Sequence, residues 1–262
     1  MSMPYVDIHS HLNDKAFAED SDAVIAQMHT QGIASIVIGV DQETSQKACA
    51  MADSHEHIFA CIGQHPVDKP NEQFDPLFYE SLIKKHPKVV AIGECGLDFF
   101  RTPNDALQAE KKRQGELFEQ QIELAVAHQL PLMIHCRDAH EETIEILTHK
   151  KRKHGSALFG NIHFFSGDKT QASTYFDLGF TISFPGVITF SSEFDDIIRT
   201  APMSMLHAET DSPYVAPVPY RGKRNEPVYV VEMIKKIAEI RGEALEDVQN
   251  TLRENAKRVF GV

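Results

Sequence analysis

The chain has 262 residues, with 26 Lys and Arg against 38 Asp and Glu, a formal charge of −12. That length suits one large domain or two small ones, and an apolar share of 42% with 24% charged residues excludes a disordered or fibrous chain. The acidic balance argues against a protein that coats nucleic acid by bulk attraction, although bound divalent metals can reverse the sign of a local field. The four cysteines, Cys49, Cys61, Cys95 and Cys136, form no C-x-x-C pair and are too sparse for a disulfide framework. The N-terminal stretch M-S-M-P-Y-V-D-I-H-S-H lacks a basic and apolar leader, and no uncharged apolar run reaches the ~18 residues of a membrane helix. A cytoplasmic protein with no membrane partner is expected.

Taken in chain order, apolar runs rich in Val and Ile predict strands at 5–9, 35–40, 59–63, 89–94, 132–136, 161–165, 180–184 and 205–209. Between and after them, helical periodicity covers 20–31, 44–54, 75–86, 106–129, 139–150, 169–177, 193–200, 228–241 and 245–259. Gly32, Gly155, Gly179 and Gly242 follow helical stretches, where left-handed caps are expected. Strands alternating with helices mean a parallel sheet covered by helices. Eight such units fit an α/β fold of the closed (β/α)8 kind, the TIM barrel, better than an open sheet. No Gly-, Ser- or Pro-rich linker divides residues 1–262, so one domain is the economical reading. The segment 211–227 carries four prolines and forms a long loop after the eighth strand.

The chemistry collects at strand ends. His9 and His11 are two apart, so an extended strand turns both imidazoles to one face. Glu94 ends the fourth strand, His135 the fifth, the sixth carries His163, and the eighth runs out at Asp211. In a barrel these ends converge on one mouth, where barrel enzymes carry their sites. Four imidazoles and two carboxylates without a cation would repel and lose solvation, so metal is the simplest stabiliser. Six ligands exceed what one catalytic ion usually takes, which favours two ions, about 3.5–4 Å apart.

Other residues read as substrate contacts. Arg137 can fork onto a phosphate. His65 faces the same mouth, and Tyr214, Arg221, Lys223 and Arg224 would make the last loop a basic lid. Asp98 and Glu209 are expected to hold imidazoles or loops in place. Cys95 and Cys136 each follow a ligand, so alternation turns them towards the packing helices. The run Lys150-Lys151-Arg152-Lys153 reads as a solvated helix end complementing the macrodipole.

With these segments in hand, the chain resembles the TatD family of metal-dependent deoxyribonucleases, relatives of the amidohydrolase barrels. The matching segments are D-I-H-S-H at 7–11, G-Q-H-P at 63–66, I-G-E-C-G-L-D at 92–98, H-C-R-D-A at 135–139 and H-F-F-S-G at 163–167. E-T-D-S-P-Y followed by R-G-K-R-N-E-P completes the series across 209–227. The resemblance implies a divalent-metal barrel, with Zn²⁺, Mg²⁺ or Mn²⁺, that hydrolyses DNA, as a 3′–5′ exonuclease on single strands or 3′ ends. It assigns His9, His11, Glu94 and Asp211 to one ion and Glu94, His135 and His163 to a second, with Glu94 bridging. Asp211 would be the general base beside an activated water. Two other readings share part of the pattern: an amidohydrolase-type C–N or ester hydrolase, and a non-catalytic metal-binding protein. Many amidohydrolase barrels place a bridging lysine where this chain has Glu94, and a non-catalytic barrel would lack a ligand.

Overall fold

A computed structural model describes residues 3–262. Strands and helices alternate as β1 (Tyr5–Ser10), α1 (Ser21–Gln31), β2 (Ile33–Ile38), α2 (Gln42–Ser54), β3 (Ile58–Ile62), α3 (Pro76–Lys85), β4 (Val89–Asp98) and α4 (Leu107–His128). The second half continues with β5 (Leu132–Arg137), α5 (His140–His154), β6 (Gly160–Ile162), α6 (Lys169–Asp177), β7 (Phe180–Phe184), α7 (Asp195–Thr200) and β8 (Leu206–Ala208). Helices α8 (Val230–Arg241) and α9 (Leu245–Phe260) follow. Each strand pairs in parallel with the next, β1 through β8, as a (β/α)8 barrel requires. Among the described residues no helix is long and apolar enough to cross a membrane.

Two apolar clusters hold the layers together. The larger packs strand side chains such as Leu132, Ile134 and Ile162 against helical ones such as Phe118, Leu147 and Ile237. The smaller joins Val6, Ala34, Ile36, Cys61, Ala91 and Met133 from β1–β5 to Val259 and Phe260 of α9. Helix ends follow local chemistry. Asp41 and Asp168 form capping boxes with Thr44 and Gln171, while Gly32 and Gly242 close α1 and α8 in the left-handed region.

The barrel closes at its mouth. β1 and β8 share no regular ladder; the bridge is between Ser10 and Ser212, past the end of β8. The Asp211 amide donates to His9 O at 2.9 Å, and the His11 amide donates to Ser212 O at 2.7 Å. Below them the buried Asp7 carboxylate accepts from the Thr210 amide at 2.8 Å and the Thr210 hydroxyl at 2.6 Å. Burial holds the Asp7 carboxyl well above the usual range despite these bonds. The seam therefore runs through residues flanking the expected ligands.

Several boundaries differ from expectation. β4 runs on from Glu94 to Asp98, because Gly96, Leu97 and Asp98 pair with His135, Cys136 and Arg137 of β5. Only glycine fits at 96, where a Cβ would lie 2.1 Å from His135 O. β2 begins two residues earlier, at Ile33, paired with Tyr5. β6 stops at Ile162, with Phe164 beyond it at φ 44°, and β8 stops at Ala208, with Asp211 at φ 51°. The basic run in the last turns of α5 is not wholly a free solvated end: Lys150 is buried and pairs with Glu119 and Glu123 of α4 at 2.8 and 2.9 Å. Lys153 and His154 also reach Glu123, and together they draw its carboxyl down to about 2 against the effect of burial.

The seam is testable with a near-isosteric change. Thr210→Val strands Asp7 Oδ2 without its hydroxyl donor and is expected to lower stability by about 1–3 kcal/mol in chemical denaturation. An unchanged midpoint and slope would show that the Thr210 hydroxyl contributes nothing to closure.

Candidate active site

Two register irregularities aim the key side chains. Asp7 pairs with Ser35 but Ser10 with Val37, so β1 carries one extra residue against β2 just where His9 sits. On β4, Ile92 pairs with Leu132 and Cys95 with Ile134, an extra residue around Glu94. Bulges of this kind re-aim side chains beside functional sites.

Glu94 is the pivot. Its Oε1 lies 2.8 Å from His163 Nε2, 2.9 Å from His135 Nδ1 and 3.5 Å from His65 Nε2. Its Oε2 faces the other way, 3.5 Å from His9 Nε2 and 3.7 Å from His11 Nε2. Asp211 Oδ1 completes that second group at 3.4 Å from His11 Nε2 and 3.7 Å from His9 Nε2. All six expected ligands thus meet around one mouth.

The donors fit divalent cations. The Nε2 atoms of His9 and His11 approach to 3.2 Å with a carboxylate oxygen beside both, three donors aimed at one point. His9, Glu94 and His163 form another such triad, and His65, Glu94 and His135 a third. Imidazole nitrogens mixed with carboxylate oxygens suit borderline divalent ions. His65, expected as a substrate contact, offers its Nε2 to the Oε1 side, with its Nδ1 held by Asp68 at 2.9 Å.

Electrostatics follow from this crowding. Burial alone would raise Glu94, but the His163 and His65 charges and the hydrogen bonds of His135 and His163 hold it well below the usual carboxylate range. Asp211 is likewise raised by burial but ends lowered, chiefly by the His11 hydrogen bond and the His9 charge. Burial opposes charge on His11 and His135 too, yet Asp211 and Glu94 raise His11, and Asp98 and Glu94 raise His135, each to about 9. His9, stacked on His163 at 3.8 Å, is pushed down to about 3 by burial and by the His163 charge.

The supporting carboxylates divide. Asp98 Oδ2 lies 3.0 Å from His135 Nε2, which turns Nδ1 towards Glu94. Glu209 is wholly buried and fixes a loop rather than an imidazole: its Oε1 accepts from the Phe164 amide and its Oε2 from Ser183 Oγ, both at 2.6 Å. His163 Nδ1 is 3.8 Å away, too far for a hydrogen bond.

The mouth opens into a cavity of about 710 Å³ whose walls include His65, Arg137, Phe164, Ser166 and Tyr214. Arg137 lays its guanidinium over the exposed Phe100 ring at 3.7 Å and has no carboxylate partner among the described residues. Tyr214 stands edge-on to His11.

The expected basic lid does not form. Arg224 is clamped by both oxygens of Asp20 at 2.7 and 2.8 Å and by Glu226 at 3.0 Å, over the Phe17 ring. It ties the last loop to the segment after β1. Arg221 donates to Ala216 O and stacks on Phe190 at 3.8 Å, which folds the loop on itself. Lys223 is exposed on that loop, and none of the three lines the cavity. Of the three, Arg224 has its charge taken up by carboxylates, Asp20 and Glu226. Cys136 does face the helices, contacting His140 and Thr143 of α5, and Cys95 is buried with its Sγ towards Met133 O.

A barrel whose strand ends gather five imidazoles and two carboxylates has the architecture of a metal-dependent hydrolase. The family model described as TatD-related DNase matches residues 6–261, and the chain belongs to that family. It is 36% identical over 261 residues to the Bacillus subtilis protein named uncharacterized metal-dependent hydrolase YabD, covering 98% of each chain. It is 32% identical over 269 residues to the Salmonella typhimurium 3′–5′ ssDNA/RNA exonuclease TatD, again covering 98% of each. The solved structure of YjjV, a TatD homologue from Escherichia coli K12, superimposes with a TM-score of 0.89 at 27% identity over the full length of both chains. An amidohydrolase from Saccharomyces cerevisiae, at 18% identity and a TM-score of 0.75, shares the fold.

The pKa pattern sets a pH dependence. His11 and His135 are raised from 6.5 to about 9, so their ion pairs stabilise the metal-free fold fully below pH ~6.5. That contribution disappears as pH rises through about 9. Divalent ions compete with those protons, so their affinity should climb over the same window, with proton release on binding. Calorimetric titration with Zn²⁺ or Mn²⁺ in buffers of different ionisation enthalpy measures both. Affinity independent of pH between 6.5 and 9 would contradict the assignment.

Proposed function

We propose that this metal-dependent hydrolase is a phosphodiesterase that shortens DNA from its 3′ end, acting on single strands, with two divalent cations. The observation that carries the reading is the split of Glu94, whose two oxygens address separate imidazole groups. His9, His11, Asp211 and Glu94 would hold one ion, and Glu94, His135 and His163 the other. His65 stands on the second side as an additional imidazole. Mg²⁺, Mn²⁺ and Zn²⁺ are the candidates. Together the ions would polarise the phosphoryl oxygens and lower the pKa of the attacking water.

The chain's own groups supply the rest. Asp211 is held ionised at neutral pH and would take a proton from that water. A water oxygen–phosphorus bond would form as the phosphorus–O3′ bond of the chain breaks, and the departing O3′ would take up a proton from solvent to leave as the 3′-hydroxyl of the shortened strand. Arg137, with no carboxylate to satisfy, is free to fork onto the phosphate and offset its charge. Tyr214 bounds the cavity on the His11 side. One local cation at the mouth is how a chain of formal charge −12 would accept a polyanion. The Salmonella relative's name, an exonuclease of single-stranded DNA and RNA, supports this substrate class.

The test is end-labelled single- and double-stranded DNA incubated with protein and Mg²⁺, Mn²⁺ or Zn²⁺. The wild type should give a ladder shortening from the 3′ terminus, fastest on single strands. Asp211→Asn and His135→Ala should each lose ~10³-fold in turnover with circular dichroism unchanged. Wild-type rates in both variants, or hydrolysis confined to amide substrates, would overturn the reading.

A further inference from the structure

Behind the cavity wall lies a buried polar chain that the metal-binding groups do not use. Ser166, in the turn after β6, is exposed and lines the cavity. Its Oγ is 3.3 Å from Nε2 of His140, the buried first residue of α5. On the far side, His140 Nδ1 is 3.0 Å from the hydroxyl of Tyr175, a fully buried residue of α6. Phe165 packs on both rings, with centroids 5.4 and 6.2 Å away, and fixes the imidazole in place.

The direction of these bonds follows from donor counting. Burial pulls His140 down to about 4, so at neutral pH its ring carries one N–H. The Tyr175 hydroxyl has a good acceptor in Nδ1 at 3.0 Å, against 3.8 Å to Cys136 Sγ. With the Cys136 thiol also 3.3 Å from Nδ1, two groups that carry their own protons face that nitrogen, and we assign the ring proton to Nε2 on that ground. Nε2–H then donates to Ser166 Oγ, which leaves the serine's own proton to point elsewhere. Inside the protein its acceptor is Cys136 O at a long 3.4 Å, beside Arg137.

We propose that Ser166 is a substrate-binding residue whose hydroxyl donates to a non-bridging phosphate oxygen, with His140 and Tyr175 as positioning residues that fix the direction of that donation. The inference rests on reading the cavity as a phosphodiester site. Four carboxylates, Asp14, Asp68, Glu94 and Asp211, line the cavity, and its imidazoles gather around Glu94 and Asp211, so a phosphate seated above them needs further donors. Ser166 and Arg137 provide them from one side. A serine without a partner behind it could rotate to offer lone pairs; a serine receiving the Nε2 proton is biased to give its own away.

Ser166→Ala takes the acceptor from the buried His140 Nε2–H, so the melting temperature should fall modestly while metal affinity stays unchanged. It should lower kcat/KM on a single-stranded oligonucleotide by ~10- to 100-fold. Binding of a phosphorothioate-protected oligonucleotide should weaken in parallel. His140→Ala should lose as much, and His140→Gln, which keeps an N–H near the Nε2 position, should recover most of it. Wild-type kcat/KM and binding in Ser166→Ala, with an active wild type, would overturn this inference alone. A wild type that cleaves no DNA with any of the three metals would overturn the phosphodiester reading and this inference with it.

Discussion

Closure of the barrel and assembly of the site depend on the same few bonds. The first strand and the segment after the last meet through Asp7 and Thr210, the Asp211 amide and His9 O, and the His11 amide and Ser212 O. These contacts span about two hundred positions of sequence and fix three of the six expected ligands relative to one another. A barrel joined instead by a long regular β1–β8 ladder would have to bring Asp211 in from a free loop. Here the loop's first residues are the last rung. Packing, closure and ligand geometry are one constraint.

The second constraint is charge. Glu94 is 4% exposed and Asp211 8%, at the bottom of a cavity where isolated carboxylates are unfavourable. Five imidazoles surround them, and protons on His11 and His135 balance the charge where cations would otherwise do so. The same arrangement explains why the barrel holds polar chains further in. Thr181 donates to Asn161 Oδ1, Asn161 Nδ2 to Ser183 Oγ, and Ser183 to Glu209, whose second oxygen anchors the Phe164 amide. That network supports the turn carrying His163 and Ser166 from beneath.

The fold and the gathering of the candidate ligands at one mouth were legible because both depend on short-range regularities. Eight apolar runs with helices between them admit few topologies, and donors at strand ends stand out against the aliphatic residues before them. His9 and His11 were readable as a pair because the period-two rule works over one step. What could not be read depends on distant partners. The extra residues in β1 and β4 leave no mark in the local pattern, and β4 extends past Glu94 because β5 pairs with it. Arg224 looked free because Asp20, its partner, lies 204 positions away. The same distance hid the Asp7–Thr210 seam, and His140 reads as an ordinary first-turn residue until Tyr175 and Ser166 are placed around it. His65 was visible as a mouth residue, but its approach to Glu94 needed the depth of the pocket.

The central claim is that Glu94 stands between two groups of donors, each able to hold an ion. Anomalous diffraction from crystals soaked in Mn²⁺ or Zn²⁺ tests it most directly. The account predicts two peaks, one among His9, His11 and Asp211 and one beside His135 and His163, with the Glu94 carboxylate between them. A single peak, or density away from Glu94, would contradict it.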